Sequence, residues 1–586
     1  MIKVILSTHD QSYDSRDRRH TYQDPAGHVE TDNYDGMSNL TSVVDRKGQT
    51  TSIAYDGIDR PTLITFQDNS TIAITWDGGN RPTTFVDSLN GTISRTYDLL
   101  DRLTQETSPQ GQINYTYDTA SRRQTMTVAG QAAINYTFDA DNRLTQIAQG
   151  TTVVGIGYDA ASRRTTVTLP NTIVGTYSFD NASQLTGISY AKGSTTVGTL
   201  GYSYDGDGRR ISVSGTLAGF VAPTSVPNVT YDGTNRLTSW NGSTLSYDAD
   251  GTLASFGSTT YTWNARNQMT ATNAGSASFV YDALGRRVSA TVSGTTTPYL
   301  YDGLNAAMVS TTQILAGSGL DQIYAQISSS GTTSFLADGV NSTAALTNSS
   351  GAITKSYLYS PYGDSAGSGT ASTTYQYTGR ENDGATGLYY YRARYYTPQL
   401  GRFIGEDTFG LLRGTNYYSY GYGNPINHRD PDGHGPAEAA VGFLLGGIWG
   451  YVDGLIEGQS DAALWQHALE DASIGGLTGL TDGLNWLTIP ANVALNASGE
   501  YFKETVRNWE TGCTEISGAR IGLAGVSGLV GDFGGKLASM NSALSLTEAT
   551  HVIQEESSLL STAIGSNISG VLSAPQSIIE RYAGRW

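Results

Sequence analysis

Apolar and polar residues alternate in short runs through the first half of the chain, and each run breaks at a small polar cluster. In INYTFDADNRLTQI, Ile134 to Ile147, the alternating positions Ile134, Tyr136 and Phe138 give way to Asp-Ala-Asp-Asn, and Leu144 and Ile147 resume the pattern. Period-two alternation on both sides of a turn-forming cluster predicts a β-hairpin. The hairpin recurs. An aromatic-Asp pair returns every twenty or twenty-one residues, at Tyr13, Tyr34, Tyr55, Trp76, Tyr97, Tyr117, Phe138, Tyr158 and Phe179. Less regular members follow at Tyr204, Tyr231, Tyr247, Trp263, Tyr281 and Tyr301. Most of the regular units carry an arginine five places after the aromatic: Arg18, Arg60, Arg81, Arg102, Arg122, Arg143 and Arg163. A unit of this length holds two strands and two turns, and a fixed period means one supersecondary unit stacked many times.

Each residue of the unit has a structural expectation. The aromatic packs on one face, and the aspartate accepts hydrogen bonds from turn amides. The arginine is placed to pair with a carboxylate or to stack on a neighbouring ring. Composition agrees: 37 Tyr, 70 Gly and 15% charged residues favour strands and turns over helices. The repeat Tyr, Asp and Arg residues therefore read as scaffold rather than chemistry.

Three segments follow. Residues 1–310 are the repeat array. Residues 311–434 keep strand character but lose the period. After Pro436 the texture changes to long amphipathic stretches, which predict a mainly α domain over 435–586. The array is already in phase at Tyr13, so the chain is expected to begin inside it. MIKVILSTHDQSYD lacks the features of a signal peptide. A formal charge of −18 gives no indication of nucleic-acid binding. The single Cys513 excludes a disulfide framework within the chain, and no spaced Cys/His cluster or cofactor motif is present.

The segment 435–586 carries 16 acidic against 6 basic residues, a net −10. Its longest uncharged stretch, Ala439 to Val452, is 14 residues, short of the ~20 that span a bilayer. Packed helices are therefore preferred over a membrane-inserting domain. His551 with Glu555, and His467 with Glu470 and Asp471, form local acid–imidazole groups that read as solvated or capping residues. Glu510 and Glu515 flank Cys513 and argue against a nucleophilic thiol.

The middle segment carries specific motifs. Residues 375–403 read YQYTGRENDGATGLYYYRARYYTPQLGRF, and 416–433 read NYYSYGYGNPINHRDPDG. With ADGVNSTAALTNSSGAITKSYLYSPYGD upstream and the Tyr-Asp repeats, residues 13–434 resemble the RHS-repeat (YD-repeat) family and its RHS-associated core. The resemblance implies a mainly β fold: repeated hairpins form a curved or spiralling sheet shell, the core plugs one end, and a variable C-terminal domain is enclosed. In polymorphic toxins of the family that domain is the effector, and the core cuts the chain behind itself with two aspartates and an arginine. Matched motif positions are Arg394, in RARYY, with Asp407 and Asp430, 23 residues apart.

The chemistry is sound without the analogy. Two carboxylates close together do not both ionise, so one polarises a carbonyl as an acid while the other activates water. A guanidinium stabilises developing negative charge. The cut is expected near Gly433, His434 and Gly435. Departures from the family pattern are Asp407-Thr408 after Glu406 in place of Asp-Pro, Thr397-Pro398 after Tyr395-Tyr396, and His434 where Leu usually follows Gly433. Glu406 is a substitute acid by position. Asp430-Pro431-Asp432-Gly433 also reads simply as a type I turn.

Two functions stand at this point. The first is a secreted or cell-surface toxin shell, delivered by a dedicated system, that releases its tail by self-cleavage. The resemblance implies as partners its own C-terminal domain as cargo, a further shell segment upstream or on another chain, a secretion apparatus and an immunity protein. The alternative is a non-enzymatic adhesion scaffold at the cell surface, suited by its aromatic and Thr/Ser-rich strands to carbohydrate contact.

Overall fold

The computed structural model describes residues 10–16, 18–408 and 416–435. All of them belong to the first of two units, Met1–Trp486 and Leu487–Trp586. The mainly α expectation for 435–586, the acid–imidazole groups and Cys513 lie outside the described residues, apart from Gly435 itself.

The described chain is almost entirely antiparallel β, as the alternation predicts. A 20-stranded sheet runs from Asp10–Tyr13 to Arg210–Ser214, and a 16-stranded sheet runs from Val229–Tyr231 to Ser365–Gly369. A small core sheet comprises Glu381–Asn382, Tyr389–Tyr391, Arg394–Thr397 and Arg402–Phe403. Strands pair with their sequence neighbours, so both large sheets are meanders built from hairpins.

One turn shows why these residues build this unit. Asp98 Oδ1 accepts the amides of Leu100 (2.9 Å) and Arg102 (3.1 Å), which closes the loop. Its Oδ2 accepts Arg102 Nε at 2.7 Å. The same guanidinium donates Nη1 to the Asp118 carbonyl of the next unit (3.3 Å) and lies 4.7 Å over the Tyr117 ring. Tyr117 reaches back, its hydroxyl donating to the Leu103 carbonyl at 2.8 Å. Aspartate and arginine thus close their own turn and clasp the following one. The arginine does both jobs that the sequence offered it as alternatives.

The residue before the arginine must sit in the left-handed region to make a three-residue loop with a bulge. Asp101 (φ 64°), Asn80 (64°), Asn142 (62°) and Ser162 (61°) do so. Short polar side chains tolerate that conformation better than β-branched or large apolar ones. Where the Tyr-Asp signature fades, the chemistry persists: Asp338 Oδ1 takes the Val340 and Ser342 amides at 3.0 and 2.7 Å.

The alternation sorts the two faces. Ile113, Met126, Ile134, Ile147, Val154 and Val167 are buried, with Leu300, Leu315 and Leu336 of the second sheet in the same cluster. The opposite face carries cross-strand hydroxyl pairs, such as Thr116 with Thr125 at 2.7 Å and Ser246 with Ser255 at 2.6 Å. Between the sheets runs a polar seam. Arg266 grips Asp87 in bidentate fashion (2.7 and 2.8 Å), and Arg286 meets Glu106 at 2.9 Å. Asp302 takes the Tyr115 hydroxyl at 3.0 Å and Arg123 at 2.5 Å. Buried ion pairs contribute less to stability than to register, because desolvation offsets their attraction.

The fully buried Arg287 docks the core sheet, pairing with Glu381 (2.9 Å) and Asp383 (2.5 Å). Behind it Tyr377, Tyr389, Tyr391, Tyr396, Phe403 and Tyr420 form one buried aromatic cluster. This gives the core a rigid backing.

Asp118→Ala removes the bonds to the amides of Ala120 (2.8 Å) and Arg122 (3.0 Å) and to Arg122 Nε (2.7 Å). The expected cost is about 2 kcal/mol, felt locally because each unit contacts its neighbours. Native hydrogen exchange should therefore accelerate some 10- to 30-fold over residues 113–142 and stay unchanged before residue 60. Exchange that changes uniformly along the sheet would contradict this picture.

Candidate active site

Strand Arg394–Thr397 begins with the arginine singled out by sequence, and its backing positions that side chain. The guanidinium lies 3.7 Å over the Phe403 ring and donates Nη1 to the Tyr417 carbonyl at 2.8 Å. Its Nη2 is 3.1 Å from Asp407 Oδ2 and 3.5 Å from Asp430 Oδ2. Its Nε donates to the Gly433 carbonyl. The structure therefore brings Arg394, Asp407, Asp430 and Gly433 together in a buried site, with Asp430 fully excluded from solvent.

The segment preceding the expected cut is laced onto the core sheet. Three consecutive residues hold three consecutive carbonyls: Arg392 Nη1 holds Pro431, the Ala393 amide holds Asp432 at 3.2 Å, and Arg394 holds Gly433. Gly433 has φ 84°, and a Cβ there would stand 2.1 Å from the Tyr391 carbonyl oxygen. Only glycine lets the chain approach so closely. Asp430 Oδ1 accepts the Gly433 amide at 2.9 Å, and Asp432 Oδ1 accepts that of His434 at 3.0 Å. The turn reading of Asp-Pro-Asp-Gly and the site reading hold together, because one oxygen of Asp430 closes the turn while the other faces the arginine.

Burial pushes the Asp430 carboxyl up to about 8, and the neighbouring Asp432 adds to the rise while Arg394 opposes it. The 3.5 Å approach of Arg394 would by itself favour ionisation. Desolvation prevails, since that guanidinium is closer to Asp407 and also serves two carbonyls. Asp430 Oδ1 is the oxygen that closes the turn, and Oδ2 is the one left facing Arg394.

Glu406 is not part of this group. Its Oε2 lies 2.6 Å from Arg46 Nη2, and its Oε1 is 3.0 Å from the Tyr418 hydroxyl. It ties the core to the sheets. His434 was expected at the cut, but not the contact its imidazole makes: Nδ1 lies 3.0 Å from Asp407 Oδ1. The one hint was its place where the family pattern has leucine. Among the described residues no group of three or more His, Cys, Asp or Glu is arranged to hold a metal ion.

A repeat sheet backed by a docked core, with this constellation at the core, defines a YD-repeat shell protein. Residues 28–152 and 153–421 match the family described as Teneurin YD-shell, and the chain belongs to that family. The tRNA3(Ser)-specific nuclease WapA of Bacillus spizizenii is 33% identical over 255 residues, covering 40% of this chain and 11% of that protein. Toxin subunit YenC2 of Yersinia entomophaga is 46% identical over 69 residues, covering 12% of this chain and 7% of that subunit. The chain thus spans about a tenth of the length of these relatives. The crystal structure of TcdB2-TccC3-Cdc42 shares the fold, with a TM-score of 0.59 over 77% of this chain and 29% of that one at 17% identity.

Because the folded Asp430 pKa lies above its unfolded value, the folded state binds the extra proton between about pH 4 and 8. Stability should fall as pH rises through that window and level off above it. Asp430→Asn should raise the melting temperature of the freshly purified chain by a few degrees at pH 7.5 and flatten this dependence. A lower melting temperature in the variant would contradict the assignment.

Proposed function

We propose that this chain is the shell and core of a delivered toxin, that residues 435–586 are its enclosed effector, and that the core frees the effector by aspartyl self-cleavage. The observation that carries the reading is the buried Asp430, raised to about 8 beside an arginine that already grips the Gly433 carbonyl. A contact scaffold has no use for so costly an arrangement. One matched relative is named as a tRNA-specific nuclease and another as a toxin subunit, and both names suit this reading. Delivery outside the producing cell, a further shell segment or partner chain, and an immunity protein follow from this reading.

The step balances as a hydrolysis. Asp407 takes a proton from water, and the oxygen adds to a carbonyl carbon flanking His434. Arg394 stabilises the oxyanion. The C–N bond breaks, and Asp430 gives its proton to the departing amine. One carboxyl begins protonated and the other ends so. The substrate is held in cis, so a single turnover suffices.

Full-length chain on a denaturing gel tests this. A fragment ending at Trp586 and starting at His434 or Gly435 by mass spectrometry is expected from wild type, and none from Asp407→Asn or Asp430→Asn. Cutting should decline above about pH 8, where Asp430 loses its proton. An intact wild-type chain from pH 5 to 8, or a fragment that persists in both variants, would overturn the proposal.

A further inference from the structure

Asp407 is held from every side that the structure defines. Its Oδ2 faces Arg394 Nη2 at 3.1 Å, its Oδ1 faces His434 Nδ1 at 3.0 Å, and its own amide donates to the Tyr417 carbonyl at 3.0 Å. His434 is fixed in turn. It is 7% exposed, and its amide donates to Asp432 Oδ1 at 3.0 Å. The imidazole thus belongs to a residue at the expected cut and reaches over to a carboxylate that would perform it.

We propose that His434 is a latch on Asp407, engaging the oxygen that must turn toward water and so slowing the cut. This rests on the self-cleavage reading. A carboxylate acts as a base through a lone pair aimed at the attacking water, and proton transfer is efficient only in that geometry. With Arg394 on one oxygen and His434 on the other, Asp407 must give up a charge-assisted or near-charge-assisted bond before it serves. His434 acts through Asp407, so it is a positioning residue. A leucine in its place would offer no N–H to that carboxylate oxygen. The departure from the family motif at this position therefore has a functional consequence: it makes a slow cutter.

The test compares time courses of full-length wild type, His434→Leu, His434→Gln and the double variant Asp407→Asn/His434→Leu at pH 7. His434→Leu should cut at least tenfold faster than wild type, equivalent to about 1.4 kcal/mol of barrier. His434→Gln, which keeps an N–H donor, should stay closer to wild type, and the double variant should not cut. His434→Leu cutting at the wild-type rate or slower overturns the latch. Exchange of the imidazole C2 hydrogen, followed by mass spectrometry in wild type and Asp407→Asn, reads the contact independently of cutting. Faster exchange in Asp407→Asn, with no cutting in any variant, upholds the contact and overturns the self-cleavage reading instead. Unchanged exchange overturns the latch.

Discussion

How an aspartate divides its two carboxylate oxygens governs this protein. At a repeat turn one oxygen gathers the loop amides and the other takes an arginine that belongs to the same turn, as at Asp98 with Arg102. The arginine then has donors and a cationic face left for the next unit. Where the arginine is present, as at Asp98, Asp118 and Asp139, the same pair closes the turn and couples it to the next. At Asp14, where the Arg18 bond is the foremost cause, the carboxyl is held down at about 2.

Asp430 uses the same turn chemistry with the opposite result. Its Oδ1 closes the loop through Gly433, but no arginine is reserved for its Oδ2. Arg394 is divided among Asp407, Tyr417 and Gly433. Buried without a dedicated counter-ion, the carboxyl rises instead of falling. In the proposed reaction this buried carboxyl is the proton donor, and it lies against the Gly433 peptide. The stability given up at this one position is offset by the aromatic backing of the core sheet, while Arg287 with its two carboxylates fixes how that sheet docks.

Much of the fold was legible because its signals are local. Period-two alternation and turn composition lie within a single unit, and the twenty-residue spacing shows that units follow one another. The Tyr-Asp-Arg signature gave the closure of each turn. It did not show that Arg102 crosses to Tyr117, since that depends on which face the neighbouring hairpin presents. The seam was invisible for a related reason: Arg266 and Asp87, or Arg286 and Glu106, stand some 180 residues apart and follow no motif. At the site, motif positions led to Arg394, Asp407 and Asp430, and the structure brings them together. Glu406 was offered by sequence only as a substitute for Asp407, and it is turned away toward Arg46. His434 was read as a residue of the cut and a departure from the family pattern, and its bond to Asp407 went unread because that partner lies 27 residues away on another segment.

The protonated state of Asp430 is the claim on which the reactive reading rests. Infrared difference spectroscopy between the freshly purified intact chain and Asp430→Asn, followed from pH 6 to 9, measures it directly. The account predicts a carboxylic-acid carbonyl band at neutral pH that is absent from the variant and fades with a midpoint about pH 8. A spectrum showing only ionised carboxylate at this position throughout that range would contradict it.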